Sequence, residues 1–373
     1  MTRLSMPAGP GATMRAAVYH GQGDVRIEDV PVPEIGDDEL LVEVTGAGIC
    51  GTDAHEFAHG PAMFPIATPH PVTGHHGPMI PGHEFAGRVV AIGRAVTGFE
   101  VDDAIVTGAG ISCGDCFQCR RGRTNLCEHY ATLGLQRDGG LAQYCAVPAS
   151  TCSRVTAESL PEDVLALTQP LAIAVHTTRR GRLEAGEDVV VIGVGGIGAF
   201  ITYVCTQFGA RVLAVDVDAS RLDIAKALGA AHVAEAGQID LARHVQSAGM
   251  RPTIVFEASG SSRGLSAALD AVVMGGRIVL VGFQKGTPAV DLRSVSLREI
   301  ELIGTNAHVC ATDLPEALRL LAARRDSWSD GAPLVLSLDR LVEEGLVPLA
   351  EGRSSDIKIL IDPRGSDPRP SRM

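Results

Sequence analysis

The chain lacks long apolar runs and lacks an excess of basic residues, and each absence excludes a class of protein. Its longest apolar stretches, such as residues 189–192 and 278–281, are far shorter than the roughly 20 residues that a membrane-spanning helix needs. The 32 basic residues are outnumbered by 44 acidic ones, which gives a net charge of -12 at pH 7. An acidic surface repels nucleic acid and anionic membranes. We therefore expect neither as a partner and favour a small-molecule ligand.

The chain also lacks a recognisable secretion signal and an even number of cysteines. Residues 1–13 contain Pro, Gly and Ala without an apolar core, so they fit no signal peptide and we expect a cytoplasmic location. Residues 1–13 and the Pro-, Arg- and Ser-rich residues 364–373 are predicted to be disordered tails. Nine cysteines in a chain of this kind favour metal ligation over disulfides.

Two patterns divide the chain and predict an α/β protein of two domains. Residues 14–165 contain short alternating apolar segments broken by Gly and Pro, which predicts a β-rich domain, with 51–81 as a long functional loop. In residues 166–308 apolar strands alternate with helices, for example the helix predicted at 197–208, which predicts a doubly wound parallel sheet. Residues 309–363 are expected to complete the first domain.

Four of the nine cysteines lie in one short segment with the spacing C-x2-C-x2-C-x7-C. Thiolates so closely spaced can converge on one tetrahedral ion, and four sulfurs leave no position for a substrate, so the motif predicts a structural zinc site. Free thiols and an iron–sulfur cluster are the alternatives, while the acidic chain disfavours a nucleic-acid-binding zinc module. The four residues are Cys113, Cys116, Cys119 and Cys127.

Three earlier residues have the chemistry of an open metal site. Cys50 begins the segment Cys-Gly-Thr-Asp-Ala-His, and His83 and Glu84 follow Gly82. A thiolate, an imidazole and a carboxylate are good zinc ligands, and a fourth position would remain for water or a substrate oxygen. Taken singly, each has an ordinary alternative: a small buried thiol, a loop histidine and a surface carboxylate.

A glycine-rich turn predicts a dinucleotide site. The glycines follow a predicted apolar strand and open a predicted helix, where they would permit a tight turn and close approach to a pyrophosphate. Asp216 lies about 20 residues further on, where a carboxylate binds ribose hydroxyls and repels a 2′-phosphate, so NAD is favoured over NADP. Arg221 could soften that preference, and a glycine turn in a cofactor-free domain is the alternative. The glycines are Gly193, Gly195, Gly196 and Gly198.

Taken in order, these motifs resemble the zinc-containing medium-chain dehydrogenases over residues 14–363. The stretch between the first two metal motifs, with Gly60-Pro61, the segment 69–74 and the segment 81–87, most resembles the 2,3-butanediol dehydrogenase group. The resemblance implies a β-rich GroES-like catalytic domain and a Rossmann domain, one catalytic and one structural zinc, and a homodimer or homotetramer.

The resemblance also implies a role for each matching residue. Cys50, His83 and Glu84 would hold the catalytic zinc and the four clustered cysteines the structural zinc, while Thr52 and His55 would pass the alcohol proton to solvent. The remaining matches would contact the cofactor: the four glycines of the turn, Ile197, Asp216, Arg221, Val281, Gly282 and Phe283.

The implied reaction is the reversible oxidation of a small secondary alcohol or vicinal diol, of the butanediol and acetoin type, with NAD. A polyol, threonine or a biosynthetic intermediate is an alternative substrate. A catalytically silent redox sensor that binds zinc and NAD is the alternative of another class.

One position departs from the family pattern. The family often has Glu-Pro-Leu at the start of the cofactor domain, with the carboxylate at or beside the catalytic zinc. Here the segment is Gln169-Pro170-Leu171, and an amide is a neutral and poorer ligand. Either water completes the zinc shell with Gln169 behind it, or Gln169 coordinates weakly through its oxygen. We favour the first interpretation because changes in outer residues usually tune a metal site without abolishing it.

Overall fold

The computed structural model divides into two compact units. The first unit comprises Met1–Ala172, Val309–Ser354 and Lys358–Met373, and the second comprises Ile173–His308 and Ser355–Ile357. Both chain ends therefore belong to the first unit, and the division falls inside one helix. The residues that the structure describes are 11–156, 160–284, 286–324 and 326–373. Of the tail predicted to be disordered, residues 1–13, residues 1–10 lie outside the described ranges, while Thr13 already begins the first strand.

The elements are numbered here in chain order. The strands are β1 (Thr13–Gly21), β2 (Asp24–Pro31), β3 (Glu39–Ile49), β4 (Glu84–Ile92), β5 (Ala104–Thr107), β6 (Gly110–Ile111), β7 (Ala131–Thr132), β8 (Tyr144–Pro148), β9 (Cys152–Arg154), β10 (Asp188–Ile192), β11 (Arg211–Asp216), β12 (His232–Glu235), β13 (Pro252–Glu257), β14 (Arg277–Leu280), β15 (Glu301–Gly304), β16 (Leu334–Ser337), β17 (Ile359–Asp362) and β18 (Arg369–Pro370). The α-helices are α1 (Gly51–His59), α2 (Glu162–Leu165), α3 (Thr168–Arg180), α4 (Gly196–Gln207), α5 (Ala219–Ala227), α6 (Leu241–Ser247), α7 (Ser262–Ala271), α8 (Leu292–Leu297), α9 (Cys310–Ala323) and α10 (Val347–Ala350). Short 3₁₀ turns span Cys119–Arg121, Thr124–Leu126, Ala149–Thr151 and Leu338–Arg340, and a π-helical turn spans Leu341–Leu346.

The first unit is built around one large mixed sheet. Its strands lie in the order β18-β16-β17-β3-β4-β5-β9, and β8 also pairs with β3. Strand β3 is buried along almost its whole length, because β4, β8 and β17 all pair with it. The core beside it is apolar and includes Leu40, Val42 and Phe85. The sheet thereby brings the end of β3 and the start of β4 together, in the register Gly48 to Glu84.

The second unit is a parallel six-stranded sheet in the order β12-β11-β10-β13-β14-β15. Strands β10, β11 and β13 are almost continuous apolar runs with no exposed core residue, as expected for a parallel sheet buried on both faces. The strand order reverses between β10 and β13, and a crevice at such a reversal is where these sheets bind ligands. The predicted α/β class, with a doubly wound parallel sheet, is confirmed.

Two local predictions are wrong. The segment 51–81, predicted as a loop, begins with helix α1. The Gly and His residues scattered through the segment gave no helical pattern from which α1 could be predicted. The tail 364–373 is not disordered, because Arg369 in β18 forms a bidentate ion pair with the buried Asp163 at 2.7 and 2.8 Å. Strand β18 also pairs with β16. Within the described residues, no helix combines the length and the apolar character that crossing a membrane requires.

Candidate metal centres and cofactor site

The four clustered cysteines converge in the first unit. Their sulfurs all lie within 4.8 Å of one another, with Cys127 Sγ 3.5 Å from Cys113 Sγ and 3.9 Å from Cys116 Sγ. A tetrahedral zinc with Zn–S bonds of about 2.3 Å needs sulfurs about 3.8 Å apart. The cysteines are not joined by disulfides. The cluster therefore has the spacing of a four-thiolate metal site.

Backbone amides surround these sulfurs, and their hydrogen bonds lower the pKa of the Cys113 and Cys116 thiols. The Glu128 N–H donates to Cys116 Sγ at 3.5 Å, and the Cys113 N–H donates to Cys127 Sγ at 3.2 Å. Hydrogen bonds from the backbone of Glu128 and Cys119 lower the pKa of the Cys116 thiol to about 6. A thiolate is the form that binds metal, so the backbone supports metal binding at Cys116, whereas burial raises the pKa of the Cys119 thiol to about 12.

The second cluster starts where β3 ends. Cys50 caps the N-terminus of α1, and its N–H donates to the Asp53 carboxylate at 2.9 Å. The Cys50 Sγ lies 3.8 Å from the hydroxyl of Thr52 in the first turn. One turn along the same helix is His55, which is exposed, and its ring packs edge-on against that of His59 at 5.2 Å. A thiol, a hydroxyl and an imidazole therefore follow one another along α1.

His83 and Glu84 complete this cluster from the start of β4. Gly82 has φ +94, and a Cβ there would come within 2.7 Å of Leu141, so only glycine permits the turn that presents His83. A Cβ at Gly48 would come within 2.6 Å of Glu84 Oε2, so that glycine makes room for the carboxylate. One ligand atom from each of Cys50, His83 and Glu84 lies within 4.8 Å of the others.

The surroundings of this cluster suit a cation. His83 and Glu84 are buried, at 6% and 1% exposure. Burial alone would lower the pKa of His83, but the negative charges of Asp53, Cys50 and Glu84 together raise it to about 10. Glu84 Oε2 is buried and accepts no hydrogen bond from any described residue. An unpartnered buried carboxylate oxygen, beside a thiolate and an imidazole, fits the donor set of zinc.

The contacts of Gln169 do not connect it to the Cys50, His83 and Glu84 cluster within the described residues. It is the second residue of α3 and is 7% exposed, in the same unit as Cys50. Among the described residues no hydrogen bond joins its amide to the Cys50, His83 and Glu84 cluster.

The glycine turn of the second unit is built as its pattern predicts. Gly193 has φ +89, and a Cβ there would come within 2.7 Å of the Ser259 nitrogen. Gly195 caps the N-terminus of α4, whose first turn contains the half-buried Ile197. The turn thus leaves the backbone open beside a helix N-terminus, which is a site for a phosphate group.

Asp216 connects this turn to the next strand. It ends β11, is 6% exposed, and its carboxylate accepts the Val194 N–H at 2.5 Å and the Asp218 N–H at 3.0 Å. The Arg221 guanidinium lies beside Gly195, 3.8 Å from the position that a Cβ would take. Gly193, Gly195, Asp216 and Arg221 line one cavity of about 650 Å³. The predicted cofactor residues of this half therefore lie together.

The remaining predicted cofactor residues follow β14. The N–H groups of Val281 and Gly282 both donate to the Glu257 carbonyl at 2.9 Å, which holds this segment against the end of β13. Phe283 is 86% exposed. These three residues do not line the 650 Å³ cavity, but they lie at the carboxyl edge of the same sheet.

Comparisons with known proteins identify the family of the chain. A family described as "Alcohol dehydrogenase GroES-like domain" matches residues 36–157, and one described as "Zinc-binding dehydrogenase" matches 196–323. An L-threonine 3-dehydrogenase of Shewanella frigidimarina is 31% identical over 338 residues, which cover 88% of this chain and 94% of that protein. The chain belongs to the zinc-containing medium-chain alcohol dehydrogenases. The resemblance found in the sequence is confirmed, and the chain is an oxidoreductase of this family.

Solved structures show the same fold as this dehydrogenase. The 2R,3R-butanediol dehydrogenase from Bacillus subtilis is similar with a TM-score of 0.86 and 28% identity, covering 94% of this chain and 100% of that one. A protein from Sinorhizobium meliloti 1021 that was solved with bound NADP gives a TM-score of 0.83 and 27% identity, covering 94% and 99%. The predicted pairing of a GroES-like domain with a Rossmann domain is confirmed.

Sequence reasoning missed two charged residues of this dehydrogenase's candidate metal centre. Asp53 Oδ1 lies 3.6 Å from His83 Nδ1, and its place in the first turn of α1 was a usable signal. Lys358, just before β17, donates from Nζ to Glu84 Oε1 at 2.5 Å and is 5% exposed. It lies 274 residues from Glu84, so no local pattern could have identified it. With His83 neutral, as a metal-binding imidazole must be, and the other groups ionised, the Cys50 thiolate and the two carboxylates exceed the Lys358 ammonium by two charges, which a divalent cation would neutralise.

Proposed function

We propose that this dehydrogenase reversibly oxidises a small secondary alcohol or vicinal diol to the ketone, with hydride transfer to NAD. The observation that carries the proposal is the buried convergence of Cys50, His83 and Glu84 beside the hydroxyl of Thr52. This cluster offers metal ligands next to a proton-accepting group, while Asp216 and the glycine turn offer the contacts that a dinucleotide needs. Together they supply the parts that alcohol–ketone interconversion requires.

We propose two zinc ions for each chain. Cys50, His83 and Glu84 would hold a catalytic zinc, and the four clustered cysteines a structural one. A bound catalytic zinc supplies the Lewis acidity that lowers the pKa of an alcohol or polarises a ketone. Asp53 would fix the orientation of the His83 ring. Lys358 would neutralise one oxygen of Glu84 and leave the other facing the metal.

A proton leaving the alcohol needs a path to solvent. The Thr52 hydroxyl is half-buried next to Cys50 Sγ, while His55 is exposed one turn further along α1. A hydroxyl can accept and pass on a proton, and an imidazole exchanges protons near neutral pH. We propose that Thr52 receives the alcohol proton and that His55 delivers it to water.

NAD is the proposed cofactor because of the charge at the end of β11. The ionised Asp216 carboxylate would accept hydrogen bonds from the ribose hydroxyls and repel a 2′-phosphate. Arg221 beside Gly195 would face the pyrophosphate, and its charge could offset part of that repulsion. Because a similar protein was solved with NADP bound, NAD and NADP must both be tested with this chain.

The proposed substrate has a heteroatom next to the reacting carbon. The relatives include proteins named as L-threonine 3-dehydrogenases and one named as a 2R,3R-butanediol dehydrogenase. Threonine and 2,3-butanediol are both secondary alcohols with a polar neighbour, an amine in one and a hydroxyl in the other. The vicinal diol is our first candidate. Threonine is the second candidate, and the sequence identity to the threonine enzymes supports it.

A substrate panel tests the proposal. Purified protein of known zinc content would be assayed with 2,3-butanediol, sorbitol, threonine and simple secondary alcohols, each with NAD and with NADP. We expect NADH formation to be fastest with a vicinal diol. A strong preference for threonine or sorbitol would overturn the diol assignment. Zinc and NADH binding without turnover of any alcohol would instead favour the silent redox sensor.

We further propose a homodimer or homotetramer in the cytoplasm. Strand β15 is the last strand of its sheet, and its Leu302 is 37% exposed, which supports an assembly through this edge. The unpaired state of the nine cysteines supports a reducing compartment. Sedimentation velocity would test the first point, since a monomer at micromolar concentration would refute the assembly.

A further inference from the structure

A buried carboxylate lies at the carboxyl edge of the parallel sheet, outside both metal clusters. Glu257 ends β13 and has no exposed surface. It accepts hydrogen bonds from the N–H of Ser259 at 3.0 Å, the hydroxyl of Ser259, the N–H of Gly260 at 3.3 Å and the side-chain amide of Gln284 at 2.6 Å. No ion pair with a basic side chain is found for Glu257 in the described part of the chain. A buried anion without a cation is costly and is retained only where fixed donors compensate it.

These donors come from two segments in very close backbone contact. Gly260 has φ +62, and a Cβ there would collide with the Phe283 carbonyl oxygen. A Cβ at Gly282 would likewise collide with the Gly260 nitrogen. The segments after β13 and β14 therefore pack backbone to backbone. Glu257 binds the first through its main-chain N–H groups and the second through Gln284.

The same segments lie on one side of the strand-order reversal. Ser259 lines the 650 Å³ cavity together with Gly195 and Asp216, while Gly282 and Gln284 follow the neighbouring strand β14. A dinucleotide in a sheet of this kind lies across the reversal. With adenosine at the end of β11 and pyrophosphate at the end of β10, its nicotinamide half would lie over the ends of β13 and β14.

We propose that Glu257 is a positioning residue for the nicotinamide half of the cofactor. It holds the Ser259–Gly260 turn and the Gly282–Gln284 segment at a fixed separation, so that they form a rigid wall for the nicotinamide ring. Gln284 positions this wall together with Glu257, because its amide nitrogen donates to the carboxylate. Its Oε1 is buried and has no hydrogen-bond partner among the described residues. The inference rests on the proposed use of a nicotinamide dinucleotide.

The test compares NADH with ADP-ribose, which lacks the nicotinamide. In Gln284→Ala we expect the dissociation constant of NADH to rise roughly fivefold to tenfold, with that of ADP-ribose changed less than twofold. Glu257→Gln keeps the side-chain shape, but its amide cannot accept from every donor, so we expect a larger loss for NADH than for ADP-ribose. Gln246→Ala is the matched control, since Gln246 is exposed on α6 of the same unit.

Hydride transfer gives a second measurement if Glu257→Gln proves hard to fold. In Gln284→Ala, a misplaced ring should slow hydride transfer, so the isotope effect with deuterated alcohol should increase relative to wild type and to Gln246→Ala. Equal losses for NADH and ADP-ribose, or no loss in either variant, would overturn the positioning role while leaving the proposed function intact. Failure of wild-type protein to bind NADH or NADPH would overturn both.

Discussion

The two candidate metal clusters of the first unit are built in opposite ways. The four-cysteine cluster is local, since its first and last members are 14 residues apart, and Cys113 is exposed. The Cys50, His83 and Glu84 cluster is assembled by strand pairing and includes Lys358, which is 274 residues from Glu84. The local cluster has sulfur donors alone and backbone amides around them. The assembled cluster has mixed donors and buried charges, which is the arrangement expected where a metal must also meet a substrate.

The largest effect should come from removing a ligand of the assembled cluster. In Cys50→Ala we expect turnover to fall roughly 1000-fold or more, because Lewis-acid stabilisation contributes several kcal/mol and about 1.4 kcal/mol corresponds to tenfold in rate. One of the two proposed zinc ions should be lost, with the circular dichroism spectrum unchanged. Steady-state kinetics and metal analysis would measure both. Near-normal turnover would show that this cluster is not the reaction centre.

The matching change in the local cluster should act on stability. In Cys116→Ala we expect the melting temperature to fall by roughly 5 °C or more, because the loop of four cysteines loses the ion that fixes it. Turnover of the remaining folded protein at low temperature should fall far less than in Cys50→Ala. Calorimetry and kinetics on the same preparations provide the comparison. A larger loss of turnover than of stability would reverse the roles assigned to the two clusters.

Lys358 tests the electrostatics of the assembled cluster. Lys358→Met leaves Glu84 as an unpaired buried charge, which should destabilise the metal-free protein by about 3 kcal/mol. Zinc would supply part of the missing positive charge, so the stabilisation by zinc should be greater than in wild type. Thermal unfolding with zinc and with a chelator measures this difference.

The control for Lys358→Met is Lys226→Met. Lys226 pairs with Asp223 at 2.9 Å on the surface of α5, with 57% of its side chain exposed, and such pairs contribute little. We expect no change in the response to zinc. If both variants behaved alike, the Lys358–Glu84 pair would have no special role at the metal centre.

Asp53 should have a smaller effect because it acts through His83. Asp53→Asn keeps an oxygen for the Cys50 N–H but removes the charge that faces His83 Nδ1, so zinc affinity should fall about 10-fold to 100-fold. Competition with a chromogenic chelator would measure it, with the exposed Asp223→Asn as control. Unchanged affinity in Asp53→Asn would mean that the imidazole is oriented by other contacts.

The two clusters also explain how much the sequence could predict. The four cysteines and the glycine turn are local motifs, so spacing alone identified them, and α4 (Gly196–Gln207) lies within one residue of the helix predicted at 197–208. Lys358 could not be found because its partner is brought to it only by the pairing of β17 with β3. The order of the C-terminal tail depends in the same way on Arg369 and Asp163, which are 206 residues apart.

Substitution of Gln169 should have the smallest effect. It tests whether Cys50, His83 and Glu84 are the only protein ligands that the metal needs. With Lys358 pairing Glu84 and with His83 neutral as a metal ligand, ionised Cys50, Glu84 and Asp53 leave two net negative charges, which a divalent zinc balances. A carboxylate at position 169 would add a charge that nothing offsets. We therefore expect Gln169→Glu to change zinc affinity and turnover less than about threefold, as outer-residue changes usually tune a site. Chelator competition and steady-state kinetics would measure it, with Gln246→Glu as the surface control. A large gain in zinc affinity would show that residue 169 reaches the metal and that its amide leaves the native site one ligand short.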